Sequence, residues 1–128
     1  MILYSSALVA VVLAEEGSEA LLAKIRTAPV VGLGAPTLAE TLVVLARRLG
    51  GDPATQLFDL LQEMDAEVIP FTEDHSRVAL DAYLRFGKGR HPAALNFGDC
   101  LAYAAASVAD EPLLYVGGDF EQTDLDSA

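Results

Sequence analysis

Val30-Val31-Gly32-Leu33-Gly34-Ala35-Pro36-Thr37-Leu38-Ala39-Glu40 is the stretch that decides the fold. Pro29 ends whatever helix precedes it, and Val30 to Leu33 reads as a buried strand because so short an apolar run is better matched to a strand than to a helix. Pro36 suits the first turn of a helix, where its missing N–H is no loss. That helix runs to Gly50, with Leu38, Leu42, Leu45 and Leu49 spaced to form one inward face. A strand passing straight into an amphipathic helix is the unit from which parallel sheets are built. The same alternation extends outward in both directions. Upstream, Ile2-Leu3-Tyr4 reads as a strand, Ser5-Ser6 as caps for a helix from Ala7 to Ala14, and Glu19 to Arg26 as a second helix. Downstream, Asp52-Pro53 starts a helix to about Met64, and Ala66 to Phe71 is strand-like. Thr72 caps a helix to Phe86 with Val78, Leu80, Ala82 and Tyr83 packing. Asn96 caps a helix from Phe97 to Ala109, and Leu113 to Val116 is the last strand. The expectation is a single α/β domain over residues 1–128 with a largely parallel sheet.

Composition narrows the function. The chain has 128 residues, 52% of them hydrophobic, enough for one core without disulfide or metal staples. Its longest apolar run, Ala7 to Ala14, is far short of the roughly 20 residues a spanning helix needs. Met1-Ile2-Leu3 offers no basic start for a secretory signal, and Cys100 is the single cysteine, so a reducing, cytoplasmic setting is expected. A net charge of −11 repels phosphate backbones at long range and excludes a bulk nucleic-acid coat. Contact with nucleic acid would run through a local basic patch or bound metal ions. Arg85, Lys88, Arg90 and His91 supply such a patch, whereas the residues from Asp110 onward carry six acids and no Lys or Arg.

Three carboxylates stand in apolar settings or at strand ends, and in open parallel sheets sites collect at the carboxyl ends of strands, where the helices begin. Glu40 lies in an otherwise apolar helix, where an exposed position on an amphipathic helix explains it equally well. Asp99 lies in the first turn of the Phe97 helix, where the dipole favours an acid without any function. Asp119 follows a strand through Gly117-Gly118, as a turn residue often does. As a set they mean more. Clustered carboxylates repel unless a divalent cation neutralises them, and oxygen-only ligands suit Mg²⁺ or Mn²⁺. The chemistry such a set serves is hydrolysis of a phosphodiester by metal-activated water.

Ile2-Leu3-Tyr4-Ser5-Ser6-Ala7-Leu8-Val9-Ala10 resembles the opening of PIN-domain toxins of the VapC family. Thr37-Leu38-Ala39-Glu40, the run from Gly87-Lys88-Gly89-Arg90-His91 to Leu95-Asn96-Phe97-Gly98-Asp99-Cys100, and Leu113 to Phe120 with Thr123-Asp124 resemble the same family in the same order. The resemblance spans essentially the whole chain. It implies a three-layer α/β/α fold, a Mg²⁺ site (Mn²⁺ also suitable) that cuts RNA, a VapB-like antitoxin that blocks it, and a homodimer. Mapped residue by residue, it implies Glu40, Asp99 and Asp119 as catalytic and metal-holding acids. Ser6, Thr123 and Asp124 are implied as their supporting neighbours.

Position 4 departs from the pattern. The family's first acid belongs there, in Asp-x-Ser form, and this chain has Tyr4. A phenol titrates near 10, so the site loses one negative charge and one hard oxygen ligand, and gains a large ring. Weak Mg²⁺ binding and strongly reduced or absent cleavage are expected. A single base change converts an Asp codon into a Tyr codon, so Tyr4 marks either a silenced relative or a chain disabled at one position. An alternative function is a catalytically silent protein that still binds the antitoxin.

The basic loop reads two ways: as a solvated Gly-rich turn, or, given the resemblance, as an RNA-contacting edge carrying Arg85, Lys88 and Arg90. Cys100 reads as a small buried hydrophobe. His75 and His91 are too far apart in sequence to suggest a His-based metal site. Arg47-Arg48 reads as charge complementing a helix C-terminus. Apolar surface on the helices between Glu19 and Met64 is either core or a groove for an antitoxin helix, and an antitoxin Arg would suit an acidic site short of metal.

Overall fold

The computed structural model describes residues 1–128. Four short strands, β1 (Ile2–Leu3), β2 (Gly32–Gly34), β3 (Glu67–Ile69) and β4 (Leu113–Leu114), form one sheet in the order β3-β2-β1-β4. Every pairing is parallel, with Ile2 opposite both Gly32 and Leu113 and Gly32 opposite Glu67. Between the strands run α1 (Ser5–Val12), α2 (Ser18–Thr27), α3 (Ala35–Leu49), α4 (Ala54–Glu63), α5 (Glu73–Phe86) and α6 (Phe97–Ala109).

Successive strand residues point to opposite faces, and this splits the core in two. Ile2 and Leu113 join a cluster with α5, α6 and Phe120, whereas Leu3 and Leu114 join one with Leu8, Leu33, Leu45 and Leu57. The result is a three-layer α/β/α fold with α5 and α6 on one face of the sheet and α1 to α4 against the other. The free edge of β4 is covered: Leu113 N donates to Asp126 O, and Ala128 N donates to Leu113 O. No helix is long and apolar enough to cross a membrane.

The elements follow the sequence reading with moved ends. Ser5 and Ser6, expected as caps, lie inside α1, whose N-cap Tyr4 makes no side-chain cap hydrogen bond, and α2 extends one residue further at each end than Glu19 to Arg26. Asn96 caps α6 as expected: its Oδ1 accepts from Asp99 N at 2.8 Å, and Asp99 Oδ2 accepts from Asn96 N at 2.9 Å. Thr72 caps α5 in a similar reciprocal arrangement with His75. The strand expected over Ala66 to Phe71 shrinks to three residues, and that over Leu113 to Val116 shrinks to two. Val116 leaves the ladder because its N–H donates instead to Ser6 Oγ, at 3.0 Å. The first helix stops at Val12, and Ala14 turns with a φ of 49°. Leu49, Leu80 and Tyr83, expected to pack inward, are exposed. Leu80 and Tyr83 lie on the side of α5 turned away from the sheet, which Ala79, Ala82 and Phe86 face instead.

Candidate active site

Tyr4 sits between β1 and α1, and its N–H donates to Leu114 O at 2.9 Å, which locks it beside β4. Its side chain is only 6% exposed, with the ring edge-on to Phe120 at 5.3 Å between centroids. The phenol donates to Asp99 Oδ1 at 2.6 Å. Asp99 is 3% exposed, and its other oxygen is held by the Asn96 N–H within the α6 cap. Burial pushes the Asp99 carboxyl above the usual aspartate range. The hydrogen bonds from Tyr4 and Asn96 oppose that rise, and the charges of Asp119 and Glu40 add to it. Burial, followed by the hydrogen bond to Asp99, pushes the Tyr4 phenol far up, so Tyr4 stays a neutral donor.

Glu40 projects from α3, half-buried, and its Oε1 accepts a 2.7 Å hydrogen bond from Ser5 Oγ. Gly98 makes room for it, since a Cβ at that position would collide with the Glu40 carboxylate. Asp119 follows β4 through Gly117, whose φ of 98° only glycine adopts without strain, and stands exposed. A cavity of about 400 Å³ opens here, lined among others by Tyr4, Ser5, Ser6, Asn96, Asp99 and Asp119. α3, α6 and the loop after β4 thus bring Glu40 and Asp119 each within electrostatic reach of Asp99.

The remaining sequence-derived residues are spread differently. Ser6 lines the cavity but accepts from Val116 N, tying down the loop that carries Asp119. Its neighbour Ser5, read from sequence only as a helix cap, is the hydroxyl that holds Glu40. Thr123 donates to Phe120 O at 2.7 Å and so fixes the turn behind Asp119. Asp124 is outside the cavity: it accepts from Tyr103 Oη at 2.6 Å and from Arg85 Nη2 at 2.8 Å. Those partners, the Tyr103 hydrogen bond foremost, hold Asp124 below the usual aspartate range, and burial with Asp124 pushes Tyr103 up to about 12. Arg85 also pairs with Asp81, so it is occupied by two carboxylates, whereas Lys88 and Arg90 form no ion pair. Arg90 lies over the Tyr83 ring at 5.3 Å. Arg48, read from sequence as a helix-end charge, lines the acidic cavity. No local signal marked it, because only the placement of α3 against α1 and α6 turns it there.

A divalent ion needs several oxygen lone pairs aimed at one point. Here Asp99 Oδ1 accepts a hydrogen bond from the Tyr4 hydroxyl, Asp99 Oδ2 one from the Asn96 N–H and Glu40 Oε1 one from the Ser5 hydroxyl. No three acidic, His or Cys side chains converge closely enough to hold an ion. The residues present do not fit a Mg²⁺ or Mn²⁺ centre.

Comparison with known proteins places this geometry in a family. The PIN domain model matches residues 1–125. Ribonuclease VapC36 of Mycobacterium tuberculosis is 46% identical over 129 residues, covering 98% of this chain and 91% of that protein. Ribonuclease VapC of Mycolicibacterium smegmatis is 37% identical, covering 98% and 97%. Among solved structures, the fold is similar to VapC20 of M. tuberculosis, a Sarcin-Ricin loop cleaving toxin, with a TM-score of 0.79, 20% identity and coverage of 99% and 97%. It is also similar to VapBC2 of Rickettsia felis bound to a DNA fragment from their promoter, with a TM-score of 0.77, 12% identity and coverage of 99% and 96%. The chain belongs to the VapC family of PIN-domain toxins.

Proposed function

We propose that this chain is an RNA-directed toxin of VapC lineage whose acidic site is Glu40, Asp99 and Asp119, and whose cutting is impaired by Tyr4. The observation that carries the reading is the Tyr4 hydrogen bond to Asp99 Oδ1. An Asp at position 4 would add a negative charge and a hard oxygen, where the phenol adds a proton donor that consumes a lone pair of Asp99. Mg²⁺, or Mn²⁺ in its place, is the ion that a fourth acid in the place of Tyr4 would suit, and the three acids of this chain do not fit it. The chain's own residues contribute orientation: Ser5 holds Glu40, the Asn96 cap holds Asp99, and Ser6 holds the loop before Asp119. Lys88 and Arg90 are the free cations proposed for the RNA edge, and Arg85 would need to release Asp124 to join them.

The test is RNA cleavage in excess Mg²⁺ or Mn²⁺ by this chain, Tyr4→Asp and Tyr4→Asp/Asp99→Ala. Cutting by Tyr4→Asp alone supports a nuclease disabled at one position. Should no variant cut any RNA while the chain binds an antitoxin, a silent antitoxin-binding protein is the better reading. That second reading draws on Val43 and Phe58, large apolar residues left exposed on α3 and α4, which would suit a VapB-like antitoxin helix. A second copy of the chain is proposed for the other side of the molecule. There Phe97 is 78% exposed and Leu80 58%, beside a groove of about 430 Å³ with Phe71, Tyr83 and Leu101 in its walls. The free thiol of Cys100 suits a reducing, cytoplasmic setting.

A further inference from the structure

The cavity beside Tyr4 holds one basic side chain. Glu15, Glu16, Asp99 and Asp119 line it, and Arg48 is the sole cation among its walls. Arg48 is exposed and makes no ion pair, although three of those acids are also exposed and face the same space. Its neighbour Arg47 occupies the same last turn of α3 and serves the helix C-terminus equally well, yet it does not line the cavity. Charge at a helix end therefore explains either arginine, and only the placement of α3 explains why Arg48 faces the acids.

Val44 and Arg48, four residues apart along α3, share a side of the helix and both line the cavity. Eight residues at 1.5 Å per residue put Arg48 about 12 Å along the axis from Glu40. That is too far for Arg48 to serve the phosphate facing Glu40 and Asp99, but within range of another phosphate on the same strand. Arg48 is the one positive charge that the walls of this cavity offer an RNA. A guanidinium suits the need, because its planar fork binds phosphate oxygens in pairs.

We propose that Arg48 is a substrate-positioning residue, taking a backbone phosphate of the bound RNA at the far end of α3 from Glu40. This rests on the reading of RNA as substrate. Arg48 sets where the strand lies and takes no part in breaking the bond.

The experiment is binding of a fluorescein-labelled single-stranded RNA oligonucleotide to the intact chain, followed by anisotropy over a range of NaCl concentrations. The parent chain is compared with Arg48→Gln, Arg48→Lys and Arg47→Gln. Arg48→Gln should weaken binding about tenfold at low salt and lower the slope of log affinity against log salt by about 0.7, the value for one single-strand phosphate contact. Arg48→Lys should recover the slope, and Arg47→Gln should leave both quantities close to the parent. Equal losses at Arg47 and Arg48 would overturn the proposal, since they report bulk charge. Parent-like binding by Arg48→Gln overturns it too, and leaves RNA standing as the substrate if Tyr4→Asp cuts. An absence of RNA binding at any salt concentration overturns this proposal and the substrate reading together.

Discussion

Gly98 and the Glu40 carboxylate occupy neighbouring space: any Cβ on Gly98 would overlap the carboxylate, which reaches across from α3 to the first turn of α6. The obstruction is the far end of a flexible side chain, so the fold tolerates it better than the site does. Gly98→Ala should leave stability within about 1 kcal/mol of the parent, because helix propensity favours alanine by a similar amount. Placed in the Tyr4→Asp background, it should cut RNA cleavage by about tenfold or more, because Glu40 must leave Ser5. Urea unfolding and a cleavage assay on the same preparation check both halves.

Replacing Tyr4 separates its hydrogen bond from its bulk. Tyr4→Phe keeps the ring against Phe120 and strands Asp99 Oδ1 without a donor, which should cost about 1–3 kcal/mol in urea unfolding. Tyr4→Asp loses the ring as well and adds a fourth charge, so it should be less stable than Tyr4→Phe in EDTA. Added Mg²⁺ should raise the melting temperature of Tyr4→Asp and leave the parent chain unmoved. A parent chain stabilised by Mg²⁺ as strongly as Tyr4→Asp would contradict the misfit between its donors and the ion.

Two aspartates give stability opposite dependences on pH. The Asp99 carboxyl is raised in the folded state, so that state binds the proton more tightly than the unfolded chain does. Its contribution to stability therefore falls as pH rises from the usual aspartate value of 3.8 to the folded one, and the penalty is complete above that. Asp124 is lowered, so its stabilisation is present above 3.8 and is lost as pH falls through its folded value. Unfolding of the parent, Asp99→Asn and Asp124→Asn across the acid range separates them. Asp99→Asn should remove the decline above 3.8, and Asp124→Asn should flatten the loss below it.

If a second copy covers Phe97 and Leu80, Phe97→Glu should shift the chain to monomer in sedimentation or light scattering. Its unfolding midpoint at low protein concentration should change little, because Phe97 is exposed in the single chain. A parent chain that is already monomeric at high concentration would rule that interface out.

Local chemistry carried most of the fold. Pro36 at a helix start, Asn96 and Thr72 as caps, and short apolar runs between amphipathic helices are properties of neighbours in the chain, and the structure keeps them with ends moved by a few residues. The acids were visible in the same way, Glu40 as an acid in an otherwise apolar helix, Asp99 in the first turn of α6 and Asp119 just after β4. What each side chain touches is another matter. Tyr4 reaches Asp99 across 95 positions of sequence, and Ser5 reaches Glu40 across 35. No spacing rule operates over such intervals; the partners meet because β1 lies between β2 and β4 and delivers Tyr4-Ser5 to the starts of α3 and α6. The same cause took Arg85 out of the free basic loop, bonded it to Asp124, and turned Arg48 toward the acids in place of Arg47. The sequence by itself determined the elements, their layering and which acids were available. Only the packing of helices on the sheet decided which of them meet, because a contact between distant residues depends on strand order and helix facing, which the chain acquires on folding.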